Sequence, residues 1–151
     1  MKVSIGFDHG ALSLRAPVLD SLKVNGHVVI DHGTDSPDSV DYPDYAHLVT
    51  NDVTSGTAEA GILCCTTGIG MSIAANKVAG IRAALVHHED EAALTRRHNN
   101  ANILCLGALH TDAEDAQRLV AVFLENEFER GEGRHERRVG KFMKWEGPSC
   151  V

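Results

Sequence analysis

At 151 residues and 43% hydrophobic, the chain has the bulk of one ordinary globular domain, 1–151, with a packed core. Its formal net charge of −7 argues against a polynucleotide partner, and no run approaches the ~20 apolar residues that a membrane-spanning helix needs. The first apolar run is too short for a signal peptide, and Cys64, Cys65, Cys105 and Cys150 have no C-x-x-C spacing, so the expectation is a reducing cytoplasm with neither zinc nor disulfides.

Lys2–Phe7 reads as a first strand, rich in β-branched and aliphatic residues. A helix follows over Leu12–Val24 with Leu12, Val18, Leu19 and Leu22 inward, and Pro17 sits awkwardly inside it. His27–Asp31 is the second strand. Asp41-Tyr42-Pro43 opens a second helix, with Pro near its first turn and Tyr45, Leu48, Val49 and Val53 on one face. Gly61–Cys64 is short, apolar and bounded by punctuation, as a strand covered on both faces should be. A small-residue turn then leads to a third helix over Ser72–Val78. Ile81–Val86 is a fourth strand, Glu89–Arg97 a fourth helix and Ile103–Leu106 a fifth strand. The run Thr111-Asp112-Ala113-Glu114 reads as a capping box opening a helix to Phe128, with Leu119, Val120, Phe123 and Leu124 inward. Gly133–Trp145 is a last, basic helix.

Strands alternating with helices predict a three-layer α/β/α, Rossmann-like fold around a five-stranded parallel sheet. Ligands in such folds sit beyond the carboxyl ends of the strands, near the switch in strand order. The polar residues fall there: Asp8 and His9 after the first strand, Cys65 to Gly70 after the third, His87 and His88 after the fourth.

Gly61 to Lys77, GILCCTTGIGMSIAANK, is the most informative stretch. Thr67-Gly68-Ile69-Gly70 can bring backbone N–H groups close to a ligand. A helix opening there presents unpaired N–H groups and the positive end of its dipole, which attract an anion. Cys65 at that mouth should have a thiol pKa depressed from ~8.5; the bland reading is a small buried hydrophobe, which suits Cys64 better. Three motifs are excluded. No Gly-Lys-Ser/Thr ends a P-loop, Ile73 stands where a dinucleotide fingerprint needs its third Gly, and no Arg stands six residues after either cysteine as a phosphatase loop requires. Residues 130–151 carry six Lys/Arg against three Glu in an otherwise acidic chain, which suits a small anionic ligand or, more plainly, a solvated amphipathic helix.

Phe7-Asp8-His9-Gly10, Asp41-Tyr42-Pro43, Cys65-x-Thr67-Gly68-Ile69-Gly70 with Ser72 to Lys77, Arg97-His98-Asn99-Asn100 and Gly133 to Val139 together resemble the ribose-5-phosphate isomerase B family, which includes galactose-6-phosphate isomerase. The resemblance implies a metal-free, cofactor-free aldose–ketose isomerase working through an enediolate. It implies Cys65 as the base between C1 and C2, because Met71 stands where some relatives place a Glu. Thr67, Gly68 and Gly70 would hold the oxyanion, and Asp8 and His98 would open the furanose ring. His9, Arg134 and Arg138 would bind phosphate, with His135 as a further candidate, and Tyr42 and Asn99 would position hydroxyls. The expected partner is a small sugar phosphate, with sites shared between subunits of a homodimer or homotetramer, and neither nucleic acid nor membrane.

Two positions depart from the family pattern. Thr66 replaces a usual Gly, which points to a different backbone angle or a narrower cavity. Leu109 replaces an Arg after the fifth strand, with His110 the nearest basic substitute, and this leaves the exact sugar open. The competing functions are the same chemistry on a six- or four-carbon sugar phosphate, cysteine-dependent acyl transfer, and sugar-phosphate binding without turnover. For individual residues, Tyr42 serving only the helix end, His87 and His88 lying on the surface, and Asn76 bonding only backbone are the plain alternatives.

Overall fold

The computed structural model describes residues 1–131 and 133–145, so Cys150 and the end of the basic tail lie outside the described residues. Five strands, β1 (Lys2–Phe7), β2 (Val28–Asp31), β3 (Ala60–Cys65), β4 (Ala83–Leu85) and β5 (Ile103–Gly107), form one parallel sheet in the order β2-β1-β3-β5-β4. The order reverses between β1 and β3, and there the Asp8 amide donates to the Cys64 carbonyl at 3.2 Å. The predicted parallel three-layer fold is the one observed.

Among the described residues, five helices flank the sheet, α1 (Leu12–Val24), α2 (Tyr42–Thr54), α3 (Ile69–Ala75), α4 (Glu89–Asn99) and α5 (Ala113–Glu125), and a sixth, α6 (Arg134–Phe142), packs against α4. Side chains alternate across a strand, and β3 divides its residues accordingly. Ile62 and Cys64 join Val3, Ile5, Phe7, Leu104 and Leu106 under residues of α1, α4 and α5. Leu63 and Cys65 join Ile103 and Cys105 under Ala46 and Val49 of α2 and Met71 and Ala75 of α3. Phe7, Phe123, Leu63 and Leu104 are fully buried, and each such side chain contributes about 1.5–3 kcal/mol relative to exposure.

Several boundaries differ from the sequence reading, each for a local reason. Strand β3 runs one residue further and ends on Cys65, because Cys65 still pairs with Gly107. The third helix opens at Ile69 rather than Ser72, since Gly68 adopts φ 74° and caps it directly. Strand β4 keeps only Ala83–Leu85, as an edge strand paired on one side. Thr111 does not cap α5: Asp112 does, accepting from the Asp115 amide at 2.8 Å, and the Thr111 hydroxyl is buried with no partner among the described residues. Pro17 lies within α1, behind a 3-10 turn at His9–Ala11, and Leu14 is buried where Leu12 was expected to be. On α2 the buried face is Ala46, Val49 and Thr50, while Leu48 is exposed.

Candidate active site

The carboxyl ends of β1 and β3 form one corner. Cys65 is buried, and the Gly68 amide donates to its Sγ at 3.1 Å. An N–H aimed at the sulfur is the arrangement a developing thiolate needs. Its neighbour Cys64 lies on the opposite face of the sheet, where burial pushes its thiol well above the usual range. The Ile69 amide donates to the Thr67 hydroxyl at 3.3 Å, whereas the Thr67 and Gly70 amides find no acceptor among the described residues. The expected row of free N–H groups is therefore partly spent: two donors serve the thiol and the turn, and two remain for a ligand.

Tyr42 covers this turn from the start of α2. A methyl group on Gly70 would lie 2.7 Å from the Tyr42 ring, so the ring rests directly on the Gly70 backbone. From the other side, a methyl on Gly10 would lie 2.0 Å from the Thr66 hydroxyl oxygen. Thr66 therefore fits because Gly10 has no side chain, and its φ is not positive, Asn100 being the non-glycine residue with positive φ among those described. Thr66 thus lies outside the left-handed region that favours glycine.

Asp8 completes the corner. Its carboxylate accepts from the Gly10 amide at 2.9 Å. Burial nevertheless raises its pKa above the usual carboxylate value, outweighing that bond and the nearby His9. The His9 Nδ1 accepts from the Val40 amide at 3.2 Å, which leaves Nε2 as its proton-bearing atom.

A second group gathers where α4 ends against α6 and the segment before it. His98 and His135 stack face to face, with centroids 4.0 Å apart and planes 5° apart. The His98 Nε2 lies 3.6 Å from Glu129 Oε2, and Arg97 pairs with the same carboxylate. Arg134 donates from Nε to His135 Nε2 at 3.1 Å. Burial, with His98 and Arg134 nearby, holds the His135 pKa below the ordinary histidine value. Arg138 is exposed one helical turn beyond Arg134, on the same face of α6. Asn99 is exposed and borders a cavity of about 300 Å³ with Asn76, Arg82 and Phe142. His98, Glu129 and His135 each bring a potential ligand atom within 4.8 Å of the others. A metal ion is nonetheless ill suited here. Arginines already hold Glu129 and His135, and two parallel rings cannot point their in-plane lone pairs at one ion.

No hydrogen bond, ion pair or ring contact among the described residues joins the two groups. The structure thus brings together Asp8, His9, Tyr42, Cys65, Thr67, Gly68 and Gly70 on one side. On the other stand His98, Arg134 and His135, with Arg138 beside them. Glu129 was missed by the sequence reading. No periodicity links it to His98, and their approach follows from the chain crossing the end of α4, where the Glu129 amide donates to the Arg97 carbonyl at 3.0 Å.

The remaining singled-out residues have plain roles. Asn76 bonds the Ser72 carbonyl and both backbone groups of Ala83, a structural clamp between α3 and β4. His87 and His88 are exposed, and their amides donate to Glu91 at the start of α4. Leu109 is 65% exposed, and the exposed His110 meets His87 edge-on at 5.9 Å. Ser4, Asp52 and His32 form a chain of 2.7 Å bonds, but the fully buried Ser4 donates to the carboxylate and not to the imidazole, so the set is a structural tie.

No helix among the described residues is long and apolar enough to cross a membrane. The sequence model for ribose/galactose isomerases matches residues 3–142. The chain is similar to a solved ribose-5-phosphate isomerase B from Clostridium thermocellum, at 46% identity over 97% of each chain with a TM-score of 0.92. It is 41% identical to the ribose-5-phosphate isomerase B of Escherichia coli over 91% of each chain. It is also 39% identical to a D-erythrulose-4-phosphate isomerase of Pectobacterium atrosepticum over 87% of each. With the parallel fold and the cysteine-bearing corner in place, these likenesses show that the chain belongs to the ribose/galactose isomerase family and is an aldose–ketose isomerase.

Proposed function

We propose that this single domain interconverts ribose 5-phosphate and ribulose 5-phosphate through an enediolate, with the Cys65 thiolate as the base. The observation that carries the reading is the Gly68 amide on the Cys65 sulfur, beside the uncommitted Thr67 and Gly70 amides. Asp8, whose carboxyl is held protonated to higher pH than usual, gives a proton to the ring oxygen. His98 takes the proton of the C1 hydroxyl, the bond from C1 to the ring oxygen breaks, and the C1 carbonyl forms. Solvent returns the proton from His98 to Asp8. Cys65 then removes the C2 proton, the electron pair forms the C1–C2 double bond, and the negative charge on O1 meets the free amides. The 2-hydroxyl proton then passes to O1, which becomes the 1-hydroxyl, C2 becomes the carbonyl as the C1–C2 double bond gives up its electron pair, and that pair takes the proton back from Cys65 at C1.

His9, Arg134 and Arg138 bind the phosphate, with His135 beside them, while Tyr42 and Asn99 contact hydroxyls. The residues assigned to one reaction fall into two unconnected groups, and exposed Ile69, Ile73 and Leu48 flank the cysteine corner. Both features support a homodimer that shares its sites. Acyl transfer gains no support, because no imidazole among the described residues hydrogen-bonds the Cys65 sulfur. The free, buried cysteines suit a reducing cytoplasm.

The test is conversion of ribose 5-phosphate to ribulose 5-phosphate, with exchange of the C2 proton into deuterated water. Absence of both overturns the reading. Mixing Cys65→Ala and His98→Asn subunits should restore up to about a quarter of the activity if sites are shared across a two-fold dimer, and none if each subunit works alone. A four-carbon substrate is the second reading, supported by the likeness to a D-erythrulose-4-phosphate isomerase and by exposed Leu109 where the family resemblance implies an Arg. Leu109→Arg should lower KM for ribose 5-phosphate, since Arg is charged at every accessible pH. An unchanged KM, with faster turnover of a tetrose phosphate, would favour the second reading.

A further inference from the structure

The proposed roles leave one buried arrangement without a function. Glu129 is about four-fifths buried, yet its carboxylate is committed twice, to Arg97 and toward His98 Nε2. The backbone bond from Glu129 N to Arg97 O fixes the chain at this point, so the carboxylate approaches His98 from a segment that cannot drift. On its open face the His98 ring is covered by His135, which is only 4% exposed. Arg134 donates to His135 Nε2, so that nitrogen is an acceptor without a proton. Two stacked imidazolium rings would repel, whereas a neutral His135 can lie flat on His98 in either of its protonation states.

We propose that Glu129 and His135 are positioning residues for His98: the carboxylate keeps the His98 proton on Nε2, and the neutral ring of His135 fixes its plane, so that Nδ1 is the nitrogen offered to the sugar. The inference rests on the reading that His98 opens the furanose ring. A carboxylate facing one ring nitrogen sets the tautomer and orients the other nitrogen. The 3.6 Å separation is longer than a hydrogen bond, and such contacts tighten when substrate arrives. Arg97 keeps the carboxylate aimed while leaving the second oxygen for His98. Nδ1 of His98 has no protein partner among the described residues, as a group reserved for substrate requires.

The experiment compares wild type, Glu129→Gln, His135→Phe, His135→Ala and His98→Asn on two substrates, ribose 5-phosphate and a four-carbon aldose phosphate that cannot close a furanose ring. Glu129→Gln should lower kcat on ribose 5-phosphate roughly ten- to hundredfold, a fraction of the 10²–10⁴ that a positioned acid–base group supplies. Its KM should stay near wild type, and its loss on the four-carbon substrate should be far smaller. His135→Phe keeps a flat ring and should lose less than His135→Ala. Nitrogen NMR of the wild-type enzyme, at a pH where His98 is neutral, should show the proton on Nε2, and Glu129→Gln should mix the two tautomers. A proton on Nδ1 in wild type, or equal losses for Glu129→Gln on both substrates, overturns the positioning role. If His98→Asn itself loses equally on both, the ring-opening reading fails first. If only His98→Asn discriminates between the substrates, that reading stands and the positioning role alone is lost.

Discussion

Cys65 and His98 are held in opposite ways. Cys65 is the last residue of a central strand paired on both sides, and the group that touches its sulfur is an amide three residues along the same turn. His98 stands near the end of a surface helix, and its neighbours Glu129 and His135 arrive from distant segments. The first geometry is set by backbone that cannot change without breaking the sheet. The second depends on three side chains and two arginines, each of which can be altered while the fold survives. Substitutions at the strand end should therefore act on chemistry outright, and those around α4 and α6 should grade it.

The largest expected effect is at the strand end. Cys65→Ala should reduce C2 proton exchange by 10²–10⁴ or more, about the contribution of an acid–base group, while sugar-phosphate binding stays within about tenfold. Cys64→Ala, on the other face of the same strand, should cost only packing, of order ~1 kcal/mol in a denaturant titration. Reversed phenotypes would place the reacting thiol on the wrong face and break the comparison.

Next in size are the arginines of α6. Arg134→Ala and Arg138→Ala should each weaken binding of the phosphate by roughly 1.5–3 kcal/mol, measured as KM for ribose 5-phosphate, and leave unphosphorylated ribose nearly unaffected. Arg134→Ala also removes the donor to His135, so it should disturb the stack as well. A wild-type KM in both variants would make α6 a solvated helix and no part of the site.

The smallest effect is on stability against pH. Burial first, then His98 and Arg134, lower the folded His135 pKa, with Glu129 opposing and Arg138 adding to the shift. The unfolded chain then binds its proton first on acidification, so stability should fall as pH drops below about 6.5, the reference histidine value. The loss should level off below the folded pKa. His135→Phe should flatten this slope in thermal melts taken across the range. An unchanged slope would show that another group carries the titration.

Much of the molecule is legible in residue order. The parallel sheet follows from apolar runs alternating with helical ones, and the corner at Cys65 follows from a glycine turn after a buried strand. The misreadings cluster where a local signal competed with packing. Thr111 has the chemistry of a helix cap, but the next residue offers a carboxylate at the right place, and Thr111 is buried instead. Leu48 matches the apolar period of α2 and is exposed, because the helix faces the sheet through Ala46 and Val49. His110, the sequence's substitute for a missing arginine, meets His87 on the surface. The reading that left it in solvent is nearer to this than the one that turned it inward.

Residue order alone determined which atoms are available: one thiol at a strand end, a run of small residues that exposes amides, and a basic helix. These are local properties, carried by side-chain type, strand alternation and the conformational freedom of Gly68. Only the tertiary structure decided who meets whom. The stacking of His135 on His98, the carboxylate of Glu129 between Arg97 and His98, and the contact of Thr66 with Gly10 all join segments far apart in sequence. No periodicity encodes such meetings. They follow from the order in which strands pair and from where each helix can bury its apolar face.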